Sequence, residues 1–213
     1  MKYRKVFLTL FLMLAGVGLV GWFRVQVAQN NVYIASADLI EGSVLTLDYI
    51  KEDPAIKSEL MTAKVRAQRW QADARTNAVS IKFEDGLSYE FLKQYNYVFS
   101  SQLESDKYLL INNPRINSGN NESYAEKSLF EAFAPEVIPE EYLKINFIQA
   151  LEISEKAGGT DFRVANSGHY GVALLLMQPE GGVLSWYISY YDKQSSSERT
   201  WRVNAASGAV QTG

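Results

Sequence analysis

Val183-Leu-Ser-Trp-Tyr-Ile-Ser-Tyr-Tyr191 decides the fold. Leu184, Trp186, Ile188 and Tyr190 alternate with Ser185, Tyr187, Ser189 and Tyr191, and that period of two belongs to a β-strand. The first set is apolar and predicts packing against a helix. The second mixes serine with tyrosine, side chains that make adaptable contacts. It predicts a half-solvated sheet face, with Tyr187, Tyr191, Ser185 and Ser189 as candidate binding residues.

Before this strand, Asn146 can cap a helix, with Gln149 three residues on as in a capping box. Phe147, Ala150, Leu151, Ser154 and Ala157 share one face of that helix, and Gly158-Gly159 is predicted to end it. Strands are predicted over 161–165, 172–177, 183–191 and 199–205, with a turn at Pro179 to Gly182 and a polar hairpin loop from Asp192 to Glu198. The first half follows the same plan. Asp53 is a good N-cap and Pro54 suits the first helical position. Ile56, Leu60, Ala63, Ala67 and Trp70 then make one apolar face, with Lys57, Lys64, Arg66 and Arg69 mostly on the other. Strands follow over 78–83, 95–101 and 108–112, with a hairpin signal at Asp85-Gly86. Asn112 to Tyr124 has the composition of a loop. Laid over each other, the halves place Tyr95, Tyr97 and Phe99 on Trp186, Ile188 and Tyr190. Each half is then a helix followed by an antiparallel meander, an α+β plan.

Ile148-Gln-Ala-Leu-Glu-Ile-Ser-Glu-Lys-Ala-Gly-Gly159, Leu184 to Tyr191, and Trp201-Arg-Val-Asn-Ala-Ala-Ser-Gly-Ala-Val210 together resemble a PepSY-type domain. Lys64 to Ala74 resembles the opening of a related unit. Asn204 stands where the family often has Asp. The resemblance implies two PepSY-like units, at 53–118 and 144–213, joined by a linker at 119–143. It also implies extracytoplasmic, non-catalytic domains that modulate enzymes or sensors.

Val6 to Phe23 carries no charge and approaches the roughly 20 residues that a helix needs to cross a bilayer. Lys2, Arg4 and Lys5 precede it and Arg24 follows, so the N-terminus is expected in the cytoplasm and the bulk of the chain outside. Residues 1–24 are read as cytoplasmic tip and anchor, and 25–52 as a membrane-proximal connector. A cleaved signal peptide is the rival, disfavoured by the length of the apolar run and by the lack of a small-x-small site after Arg24.

The 213-residue chain is 47% hydrophobic and 21% charged, ordinary globular values, with a net charge of -3 and no Cys. Mild acidity gives no electrostatic reason to bind nucleic acid. The lack of Cys excludes disulfides, thiolate metal sites and a Cys nucleophile. The one His, His169, lies in a loop-like Ser-Gly-His-Tyr-Gly. Glu136, Glu140 and Glu141 cluster near Pro135 and Pro139, and the last two suit a helix N-terminus. Neither glycine pair belongs to a phosphate loop. No catalytic constellation, cofactor or metal is expected. The expected function is a membrane-anchored extracytoplasmic binding or regulatory protein, bacterial in character, whose partner is another envelope protein or a cell-wall polymer. The rivals are a structural accessory subunit of an envelope complex and a hydrolase built from Ser, Asp, Glu or Tyr.

Overall fold

The computed structural model describes residues 54–87, 91–114, 121–130, 134–166, 169–195 and 197–213. The anchor at 6–23, the connector and the Asp53 cap lie outside these. Among the described residues no helix is long and apolar enough to cross a membrane.

Helix α1 runs Pro54–Trp70 and is followed by β1 (Arg75–Glu84), β2 (Leu92–Ser100), β3 (Lys107–Pro114) and β4 (Asn121–Glu126). Short 3-10 turns at Lys127–Phe130 and Glu140–Tyr142 lead to α2 (Phe147–Ser154), a π-turn (Glu155–Gly159) and α3 (Thr160–Ala165). Then come β5 (Tyr170–Met177), β6 (Ser185–Asp192), β7 (Glu198–Asn204) and β8 (Val210–Thr212).

The two separate helix-on-meander units expected from the sequence are not formed. All the described strands belong to one 8-stranded antiparallel sheet, in the order β4-β3-β2-β1-β5-β6-β7-β8. The physical reason lies in β1. It pairs with β2 on one side, and on the other with β5, from Ala78 opposite Met177 to Glu84 opposite Gly171. Ladder bonds on both sides of β1 leave no free edge at which one half ends and the other begins. The apolar core follows the same logic. Tyr95, Phe99, Leu109 and Ile111 from the first half join Trp186, Tyr190, Trp201 and Val203 from the second in one cluster. Ala63 and Ala67 of α1 and Ile148, Leu151 and Ile153 of α2 close it over that face.

Residues 134–138, inside the stretch read as a linker, are bound to the sheet. Pro135 forms a bridge with Pro179, Glu136 N–H donates to Gln178 C=O, and Ile138 N–H donates to Thr76 C=O. Asn77 Nδ2 also donates to Pro135 O at 2.8 Å. The expected loop from Asn112 to Tyr124 is likewise partly strand, since β3 continues to Pro114 and β4 begins at Asn121.

The capping box at Asn146 and Gln149 is present with both of its hydrogen bonds. Gly158-Gly159, however, does not end the helical run, and the strand expected over 161–165 is α3. Gly158 takes φ 115°, a conformation that glycine adopts without strain, and the chain re-enters helix one residue later. A Cβ on Gly159 would meet Ser154 O and the Tyr190 ring at 3.0 Å. Glu155 fastens the kink: its carboxylate accepts from Thr160 Oγ1 at 2.8 Å, from Arg163 Nε at 2.8 Å and from Tyr190 Oη at 2.6 Å.

Candidate functional site

The serine-tyrosine face of β6 is not half-solvated at the predicted residues. Ser185, Ser189 and Tyr187 are 1%, 0% and 5% exposed, and Tyr191 is partly buried. Each is engaged. Ser189 Oγ donates a short hydrogen bond to Glu198. Arg202 Nε donates to Ser185 Oγ at 3.1 Å, and its guanidinium lies 5.6 Å from the centre of the Tyr187 ring. The Tyr191 ring occupies the space over Gly171, where a Cβ would come within 2.3 Å of it. Burial raises the Tyr187 hydroxyl, with Arg202 partly opposing. It also raises Tyr191, and the charges of Glu84, Asp85 and Glu198 add to that. Small and large side chains on this face interlock as a packed layer, alongside a second apolar cluster that includes Val98, Leu110, Phe130, Leu175 and Met177.

Glu198 carries a pH signature. Burial raises its carboxyl, and the Ser189 hydrogen bond only partly offsets this. The folded state therefore holds the proton more tightly than the unfolded chain does. Its contribution to stability is greatest below the ordinary glutamate range and is lost as pH rises through the folded value. In paired urea titrations from pH 4 to 7, Glu198→Gln is expected to gain stability relative to wild type as pH rises. A difference that stays flat across this range rules the effect out.

The other sequence candidates are dispersed. His169 is exposed, with Nδ1 3.0 Å from Gln194 Nε2. Glu136 accepts from Gln178 Nε2 at 2.7 Å and from Gly181 N–H at 3.1 Å, which pins the Pro179–Gly182 turn. Glu140 pairs with Lys64 at 2.5 Å. Among the described residues no group of His, Asp and Glu side chains is placed to hold a metal ion.

Three of the exposed apolar residues lie around β4, while others, such as Leu103, Val164 and Val183, are scattered over the described surface. Val65, Tyr124 and Leu129 are 47%, 57% and 48% exposed. A groove of about 760 Å³ runs between α1 and β4, lined by Thr62, Val65, Arg66, Arg69, Trp70, Glu122 and Tyr124. The Trp70 and Tyr124 rings meet at 5.9 Å between centroids, tilted by 50°. Arg66 holds Glu122 at 2.5 Å. A smaller groove of about 350 Å³ is lined by Leu110, Ser123, Tyr124, Ala125 and Leu129, with Lys107 and Glu126 beside them.

Sequence reasoning missed this site. Arg66 and Arg69 read as a solvated helix face, Trp70 as core, and Tyr124 as loop. One signal was available: Glu122-Ser-Tyr-Ala-Glu126 alternates with a period of two, as an edge strand does. Comparison with family models, curated proteins and solved structures found no match for this chain.

Proposed function

We propose that this chain is a membrane-anchored extracytoplasmic protein that binds, and thereby regulates, an envelope enzyme or sensor through protein contacts. The observation that carries the reading is the groove beside β4. Exposed Tyr124 and Val65 line it together with Arg66, Arg69 and the half-buried Trp70. Aromatic and arginine side chains in an open groove are the composition of contact hot spots. Two sequence features support the compartment and the role. The uncharged run at 6–23 follows three cations, and the quoted motifs of residues 146–210 resemble those of extracytoplasmic, non-catalytic PepSY-type domains.

Two measurements on the full chain test this. Protease added to intact spheroplasts is expected to remove everything beyond about residue 25 and leave a membrane-bound stub. Full protection contradicts the topology. Cross-linking in intact envelopes is expected to join the wild-type chain to a discrete envelope protein, and Tyr124→Asp is expected to lose that product. A wild-type chain with no cross-linked partner sinks the protein-contact reading.

A further inference from the structure

The two grooves flank the same edge strand, and Tyr124 lines both. Tyr124 lies opposite Leu109, a residue of the helix-covered core, so Glu122, Tyr124 and Glu126 face α1. Ser123 and Ala125 face the other way, opposite Leu110 and Tyr108. The backbone alternates too. Lys127 N–H donates inward to Asp106 C=O at 2.8 Å. The antiparallel pattern then turns the N–H and C=O of Glu122, Tyr124 and Glu126 outward. Among the described residues no strand lies on that side. Such a row is a template for another strand.

We propose that the outer edge of β4 takes an extended segment of a partner protein as a ninth, antiparallel strand. This rests on the protein-contact reading above and specifies its partner. A side chain opposite Tyr124 enters the groove beside Val65 and Trp70, so it is aromatic or aliphatic. Its neighbours on the segment turn to the opposite face and lie against Leu129 and Ala125, so they are apolar. Charge sets the ends. Among the described residues Glu126 and Arg69 have no ion-pair partner, whereas Arg66 already holds Glu122. The segment therefore carries a basic side chain opposite Glu126 and an acidic one opposite Glu122, beside Arg66 and Arg69. A second copy of β4 fits poorly. On a two-fold axis through Tyr124 it meets only one of these two conditions, because each Glu126 faces a Glu122 where the segment needs a cation.

The probe is a fluorescein-labelled peptide, Thr-Lys-Val-Phe-Val-Asp-Thr, titrated by polarisation against the full chain in detergent micelles. A peptide of the same composition with the alternation scrambled is the control. Wild type is expected to bind the alternating peptide at least about tenfold more tightly than the scrambled one. Glu126→Pro removes an outward N–H and leaves the ladder to β3 intact. It is expected to lower affinity about tenfold or more while melting within about 3 °C of wild type. Glu126→Lys is expected to weaken binding as well, with recovery when the peptide Lys is changed to Glu, so the proposal stays testable if the proline variant does not fold. Unchanged affinity in a folded Glu126→Pro, or failure of the charge swap to restore binding, overturns strand addition. So does a wild-type dimer that Glu126→Pro dissolves, since the occupant is then a second copy. If the envelope cross-link persists in Glu126→Pro, strand addition falls and the protein-contact reading stands. If wild type has no cross-linked partner, that reading falls first.

Discussion

Truncating Trp186 to Ala is expected to lower stability by about 3–5 kcal/mol, the usual cost of removing a fully packed aromatic. Trp186 is 3% exposed, and its indole N–H donates to Ile145 C=O at 2.8 Å. The variant loses the ring from the core shared by both halves. It also leaves a buried carbonyl without its donor, just before the cap of α2. A domain of ordinary stability has about 5–15 kcal/mol in all. The Ala variant should therefore melt far below wild type or not accumulate folded, as circular dichroism on heating would record. Tyr187→Ser on the opposite face should also destabilise, because Tyr187 is 5% exposed. Tyr124→Ser should cost under about 1 kcal/mol, because that ring is 57% exposed. If Trp186→Ala melts like wild type while Tyr124→Ser does not, the assignment of Trp186 as buried and Tyr124 as exposed is wrong.

Arg163→Met is expected to be nearly as damaging, by a different route. Glu155 has a fully buried side chain, and Arg163 Nη2 lies 2.5 Å from it. The guanidinium is held above its ordinary pKa, first by the Glu155 hydrogen bond, and it stays charged at any working pH. Removing it leaves a carboxylate in the core with only the Thr160 and Tyr190 hydroxyls as described donors. Breaking such a pair from one side costs about 3–5 kcal/mol. The lower end applies, since the Arg163 side chain is itself 20% exposed and water can reach its place. Glu155→Gln with Arg163→Met removes both charges and should recover part of the loss in urea denaturation. A double variant no more stable than Arg163→Met alone contradicts the uncompensated charge as the cause.

Strand periodicity was legible wherever one face is apolar, and Trp186, Ile188 and Tyr190 fall in the core as their alternation implied. The capping box was legible because its two residues are local. Four things were not. The helical run past Gly158-Gly159 depends on Glu155 reaching residues in the next segment, and glycine pairs usually mark an end. The single sheet depends on β1 pairing with β5, a contact between distant segments that local composition does not encode. The serine-tyrosine face was misread because period two tells which residues share a face, not what lies against it. The groove was hidden for a related reason. Its walls come from α1 and β4, and the sequence between them gives no hint that Trp70 and Tyr124 meet.

The central β1–β5 seam has a consequence for how the chain reaches its native state. Ala78 pairs with Met177 and Glu84 with Gly171, so forming the seam closes a loop on the order of a hundred residues. The β1–β2, β2–β3, β5–β6 and β6–β7 pairings join strands consecutive in the chain and need only short closures. Local hairpins therefore form early, and the seam follows slowly, as non-local strand pairing does. Until then β1 and β5 are both bare edges, and Val172-Ala-Leu-Leu-Leu-Met177 on β5 is apolar along its whole length. A chain emerging N-terminus first holds β1 unpaired on that side until β5 has been made. That interval, rather than the finished fold, is when the protein is most open to mispairing with its neighbours.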